Sequence, residues 1–443
     1  MSRAEIALKH FNEQKEFMTS RINSGIELYR KGFKRIEFKD SKGEPIKGVS
    51  FKAVQKNHYF NFGCNMFLLD EFDSEDKNKK YRELFPKIFN YAVVPFYLNA
   101  VEPEQGKRRF AADSPKFYRR PPADLITKFC LENNIRMKGH CLVYDRFNPD
   151  WLPKDTRSLK RFIRSYLEDV AKRYGDIIRD WDIVNEALTW KCFDTTYVSE
   201  FFREEDYVSY PFKIAEHLPF ERKFINDSDG IWENFHFTRS YYYLFLRDLE
   251  RRGVDFDAIG LQYHQFVPRE KEEEYALDRY NPMKMYDVLD TFGKLGKPLQ
   301  LSEITVSAYS DTDEDMAVQA ELLKNMYKIW FSHKNVDAIV YWNLVDGLAY
   351  GNGANQMNAG ENRYFGALLN YDLSPKPAFK AIDELINHEW HTEGIFASND
   401  YGFAVVNGFK GDYELEISYG DKNYTKKLKL DDRYDVTVHI TLD

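Results

Sequence analysis

The sequence predicts an α/β protein, a closed (β/α)8 TIM barrel with small β-rich additions at its N- and C-terminal ends. Three features lead there. A strand-then-helix rhythm repeats eight times through the middle of the 443 residues, polar side chains collect at the C-terminal ends of those strands, and alternating β stretches lie outside the rhythm. An open doubly wound sheet is the runner-up, but no glycine-rich nucleotide fingerprint follows the first strand.

Taken in order, residues 4–32 read as helical. Arg35-Ile-Glu-Phe-Lys39 and Val49-Ser-Phe-Lys-Ala-Val54 alternate about a turn at Asp40-Ser-Lys-Gly-Glu-Pro45, which predicts a hairpin. Barrel strands are expected at 59–66, 91–96, 136–143, 181–186, 223–226, 258–264, 299–303 and 338–343. Helices are expected at 123–133, 158–174, 238–251, 313–332 and 378–388, two of them beginning near Pro121-Pro122 and Pro375-Lys-Pro377. Alternating segments at 403–406, 413–418, 426–430 and 434–441 form a small β appendage, which pairs with the N-terminal hairpin because neither has enough sequence for a core alone. The division is then 1–58 for the N-terminal extension, 59–390 for the barrel and 391–443 for the appendage.

A hydrophobic content of 43% beside 30% charged residues describes a folded protein, and a net charge of -8 offers no basic surface for nucleic acid. Cys64, Cys130, Cys141 and Cys192 are too unevenly spaced for a disulfide framework. No apolar span is long enough for a membrane helix and no signal-peptide core follows Met1. The chain as given therefore reads as cytoplasmic, or as secreted or periplasmic if an export signal has been removed. Aromatic residues make up 16%, a composition suited to stacking on sugar rings as well as to core packing.

The strand-end polar groups are His140 with Tyr144 and Asp145, Asn185-Glu186, Asn226-Asp227, Gln262 with His264, Glu303, and Trp342-Asn343 with Asp346. In a barrel they converge on one face. Glu186 ends the apolar strand Trp181-Asp-Ile-Val-Asn-Glu186, and Glu303 ends Leu299-Gln-Leu-Ser-Glu303 three units later. Two facing carboxyls can share retaining glycoside hydrolysis, Glu186 as acid/base and Glu303 as nucleophile. Asn185 and His140 suit sugar hydroxyls, His264 suits orientation of Glu303, and Gln262 and Asn226 suit polar walls. Trp342 suits a platform under a sugar ring, and Asp346 opens a Gly- and Asn-rich loop running to Arg363 that is expected to contact substrate. Each of these side chains also has a purely structural reading. A metal-dependent hydrolase is the competing chemistry, but no HxH, HExxH or tight Asp/His cluster is present, so no metal or cofactor is expected.

These segments resemble glycoside hydrolase family 10, whose usual activity is endo-β-1,4-xylanase. Gly139-His-Cys-Leu-Val143 resembles the family's strand-three histidine motif, Trp181-Asp-Ile-Val-Asn-Glu186 the acid/base motif, Asp257-Ala-Ile-Gly-Leu-Gln-Tyr-His264 the strand-six motif, and Ser302-Glu303-Ile304 the nucleophile segment. Trp342 and Pro375-Lys-Pro-Ala-Phe379 match features near the barrel's end. The resemblance implies a retaining mechanism and an oligosaccharide or polysaccharide as partner. Three departures bear on substrate. In the second strand, where an asparagine and a lysine normally bind the non-reducing side of xylan, the lysine has no clear counterpart and Tyr97 or Leu98 occupies its neighbourhood. A tryptophan-histidine pair becomes Tyr144-Asp145, and an aspartate after the nucleophile becomes Thr305. The substrate expected is a xylose-containing or related plant glycan. Exo action, a decorated or non-xylan substrate, and an inactive glycan-binding barrel stay open, as does oligomeric state.

Overall fold

The computed structural model describes residues 1–189, 199–350, 353–433 and 436–443. Helical turns at Arg3–Ala7, Lys9–Glu13 and Lys15–Gly25 lead into strands β1 (Lys31–Lys39) and β2 (Ser50–His58). Eight strands follow: β3 (Asn61–Asn65), β4 (Tyr91–Pro95), β5 (Arg136–His140), β6 (Asp180–Asn185), β7 (Arg222–Asp227), β8 (Ala258–His264), β9 (Leu299–Thr305) and β10 (Val336–Tyr341). They pair in parallel in chain order, and β10 closes on β3, giving a barrel without edges. Every residue of β3, β4, β6 and β9 is buried, as expected for strands covered by helices outside and by packed side chains within.

Amphipathic sequence builds the outer ring. Thr156–Tyr174 buries Leu159, Ile163, Tyr166, Leu167, Val170 and Tyr174 at helical spacing and begins under an Asp155 cap. Asp313–Ser332 is capped by Thr312 and carries three acidic residues in its first turn. Two prominent helices absent from the sequence expectation, Glu75–Ile88 and Pro282–Gly293, follow β3 and β8 in the chain.

Of the terminal β segments, β11 (Glu393–Ala397), β12 (Phe403–Phe409), β13 (Gly411–Tyr419) and β15 (Val438–Thr441) pair with the N-terminal strands, and β14 (Lys422–Leu430) pairs with β13. The expected hairpin does not form. β1 lies between β12 and β15, whereas β2 lies between β11 and β13, so the two strands belong to different sheets. Their alternating burial explains this arrangement: Ile36 and Phe38 from one sheet and Phe51 and Ala53 from the other face a shared core with Val406, Leu415 and Ile417. Residue 434, where the last strand was expected to begin, lies outside the described residues.

The N-terminal helices pack on the barrel rather than on this β unit, with Ala7, Phe11, Met18, Ile22 and Ile26 joining the barrel core. Arg3 fixes them. Its guanidinium pairs with Glu272 at 2.9 Å and Asp315 at 3.2 Å, and donates to the carbonyls of Ser307 and Ala308 at 2.7 and 2.9 Å. All three charged side chains are almost fully buried. Arg3→Met leaves Glu272 buried without its cation, while Asp315 keeps Arg269 at 2.6 Å, and is expected to cost about 3–5 kcal/mol of stability, measured by denaturant unfolding.

Candidate active site

Strand register places the two glutamates. Between β8 and β9 the pairing passes from Gly260↔Gln300 to Gln262↔Glu303, so β9 carries an extra residue and Glu303 rises level with Gln262. Glu186 follows β6 in the left-handed region, at φ 49°, while its amide donates to the Asn226 carbonyl at 2.8 Å. Asp227 holds the next turn by accepting from Leu188 N at 2.9 Å and Thr189 Oγ1 at 3.4 Å.

The carboxyls share one donor. Gln262 Nε2 donates to Glu186 Oε1 at 3.2 Å and to Glu303 Oε1 at 3.0 Å. One nitrogen touching both keeps those oxygens within about 6 Å of each other, shorter than the roughly 6.5–9.5 Å separation of inverting pairs. Glu303, 3% exposed, also accepts from Asn226 Nδ2 at 2.7 Å and meets His264 Nε2 at 3.2 Å. Glu186 is more open, accepting from Tyr144 Oη at 2.6 Å with Arg146 Nη1 at 3.8 Å.

Burial pushes Glu303 up to about 8, with neighbouring Glu186 and Asp182 adding to the rise and His140 and Asn226 opposing it. The pair therefore retains a proton near neutral pH. Burial pulls His264 down to about 4, so it is neutral there. With Nε2–H directed at Glu303, its Nδ1 accepts from Thr305 Oγ1 at 3.0 Å. Thr305 thus orients the imidazole without adding a charge. Below the pair, Asp182 joins Lys138 and His140, each at 2.8 Å; although burial opposes it, these neighbours hold the Asp182 carboxyl below its usual value.

The cavity above has a volume of about 440 Å³ and is lined by Tyr144, Asn185, Glu186, Gln262, His264, Glu303 and Trp342 among the expected residues. His140 sits beneath it, with Nε2 lying 3.8 Å from Glu303 Oε1 and making no hydrogen bond among the described residues. Three expected substrate contacts are corrected. Asn226 turns its amide to Glu303 and Asn185 and accepts from Ser302 Oγ at 2.5 Å, so it positions the carboxylate rather than forming a wall. Asp145 is absent from the lining, where Arg146 stands instead. Asp346 is spent on an ion pair with Lys376 at 2.8 Å and a bond from Ala367 N at 3.0 Å. From the loop it opens, Tyr350 and Glu361 reach the cavity; Gly351 and Cys192 lie outside the described residues.

Sequence reasoning missed Arg119, Arg120, Arg146 and Arg279, all of which line the cavity. The adjacent arginines before Pro121-Pro122 were a visible signal, but they lie well beyond their strand. Among the described residues, no group of three His, Cys, Asp or Glu is placed to hold a metal, and no helix is long and apolar enough to cross a membrane.

Residues 52–385 match the model of glycosyl hydrolase family 10. The chain belongs to this family. It is 25% identical over 420 residues to a protein named anti-sigma-I factor RsgI6 from Acetivibrio thermocellus, covering 92% of this chain but 48% of that protein. It is 26% identical over 331 residues to a β-1,4-xylanase from Dictyoglomus thermophilum, covering 68% of this chain and 83% of the relative. The fold matches xylanase 10B from Thermotoga petrophila, solved with xylobiose, at a TM-score of 0.57 and 21% identity over 75% of this chain and 95% of that one.

Within this family-10 site, Gly260 keeps room for the side chain that holds Glu303. A Cβ there would overlap the Asn226 amide that donates to Glu303. Gly260→Ala is expected to lower turnover of an activated aryl β-xyloside about 100-fold in steady-state kinetics, because displacing Asn226 misplaces the carboxylate.

Proposed function

We propose that the chain hydrolyses β-glycosidic bonds in xylan-derived or related plant oligosaccharides with retention, using Glu186 as acid/base and Glu303 as nucleophile. The observation carrying this reading is the single Gln262 amide that bridges both carboxyls. Family membership and the similarity to a β-1,4-xylanase support the substrate class.

The shared proton is assigned to Glu186 at the moment of attack. Three N–H donors, from Asn226, Gln262 and His264, favour negative charge on Glu303. Glu186 then protonates the glycosidic oxygen as Glu303 attacks the anomeric carbon. In the second step Glu186 takes a proton from water, which cleaves the glycosyl ester and restores both groups. Asn185 faces sugar hydroxyls from the cavity lining, and Trp342 provides an apolar face.

An activated 2-fluoro β-xyloside should label Glu303, as read by peptide mass spectrometry. Turnover of the parent glycoside with labelling elsewhere overturns the assignment. Glu186→Ala should slow substrates with poor leaving groups by about 10²–10⁴-fold and activated ones much less in their first step.

The raised Glu303 value also has a consequence for stability. The folded chain holds this proton above the ordinary carboxyl range, so the contribution is full below about 4.5 and lost as pH rises through about 8. Glu303→Gln should therefore raise the melting temperature relative to wild type more at pH 9 than at pH 5, as measured by calorimetry.

A further inference from the structure

The barrel mouth has two unlike walls. One comes from the loops after β6, β7 and β8, where Arg279 is paired with Glu233. The other comes from the loops after β10, β3, β4 and β5, with Phe67, Tyr97, Arg119, Arg120, Phe147 and Trp342 facing the cavity. This second wall includes the second-strand region around Tyr97 and Leu98, where the lysine expected from the family resemblance has no clear counterpart.

Arg119 and Arg120 are buried there, at 3% and 7% exposure. Neither forms an ion pair within 4 Å among the described residues. Arg119 Nη2 donates to Asn343 Oδ1 at 3.0 Å, and its Nε has no hydrogen bond among the described residues. Arg120 Nη1 donates to the Arg119 carbonyl at 2.8 Å. The nearby carboxylate, Glu361, is bonded by Asn343 Nδ2 at 3.0 Å rather than by either guanidinium.

Aromatic faces fix Arg120 in place: its guanidinium lies 4.1 Å from the Tyr97 ring centre and 4.7 Å from that of Phe67. Burial, with a smaller contribution from Arg119, pulls Arg120 down to about 10, so it remains a cation at neutral pH. Two adjacent buried cations are costly unless an anion reaches them. Tyr97 connects them to the chemistry, since its ring lies 5.3 Å from that of His140, beside Glu303.

We propose that this wall is a subsite for a hexuronic acid residue, its carboxylate received by Arg119 and Arg120, on the non-reducing side of the scissile bond. The inference rests on the glycosidase reading and specifies its substrate as an acidic rather than a neutral glycan. A planar carboxylate matches the guanidinium fork, and Trp342 offers an apolar surface for the attached sugar.

The test is calorimetric binding of glucuronosyl-xylobiose and of its carboxyl-reduced, neutral counterpart to the full chain. The acid should bind about tenfold more tightly, as expected for one charge-assisted hydrogen-bonded contact. Arg120→Gln and Arg119→Gln should each bring the two affinities close together. Equal affinities in the wild type, absence of acid binding, or a preference retained in both variants overturns the proposal. So does equal weakening of both ligands in a variant, the signature of an arginine that only supports Tyr97. The ligand comparison uses unaltered protein and survives a variant that fails to fold. Binding is read independently of turnover: acid preference without Glu303 labelling separates failure of the glycosidase reading from failure of the subsite.

Discussion

Two carboxyl groups drawn together out of water repel one another, and the Glu186–Glu303 pair persists because donors surround it. Gln262 touches both, Asn226 and His264 hold Glu303, and Tyr144 holds Glu186. Each donor depends on the barrel. The extra residue in β9 brings Glu303 opposite Gln262, and the missing side chain at Gly260 leaves room for the Asn226 amide. Closure of β10 on β3 brings Trp342 and His140 to the same mouth, with their rings 5.2 Å apart.

Charge is also arranged in depth. Lys138 pairs with Asp182 beneath the pair and His140 lies within hydrogen-bond distance of it, while His264, kept neutral by burial, contributes a dipole. Thr305 completes this arrangement, because a hydroxyl directs the imidazole without supporting a second positive charge. Positive charge concentrates instead on the wall built by Arg119 and Arg120.

The barrel was legible because its strands are short, apolar and regularly spaced, with Asn185-Glu186 and Glu303 at their ends. Periodicity also located Thr156–Tyr174 and Asp313–Ser332 within two residues. It did not reveal the side on which each alternating strand would pair, so β1 and β2 read as a hairpin although a shared core draws them into separate sheets. The site followed the same division. Residues at strand ends were found, whereas Arg119 and Arg120 reach the mouth from a long connection whose path has no local signature. Asp346 misled because its proximity in sequence to the end of β10 gives no sign of Lys376, its partner thirty residues away.

The β unit joins the two extremes of the chain, with β1 beside β15 and β2 beside β13. During synthesis, β1 and β2 emerge before the barrel, but the strands that satisfy their edges emerge after it. Ile36, Phe38 and Phe51 must then wait through assembly of the entire barrel before Leu415, Ile417 and Ile440 cover them. The β unit is thus begun before the barrel and closed only after it, and synthesis halted once the barrel is complete leaves it carrying two adhesive, unpaired strands.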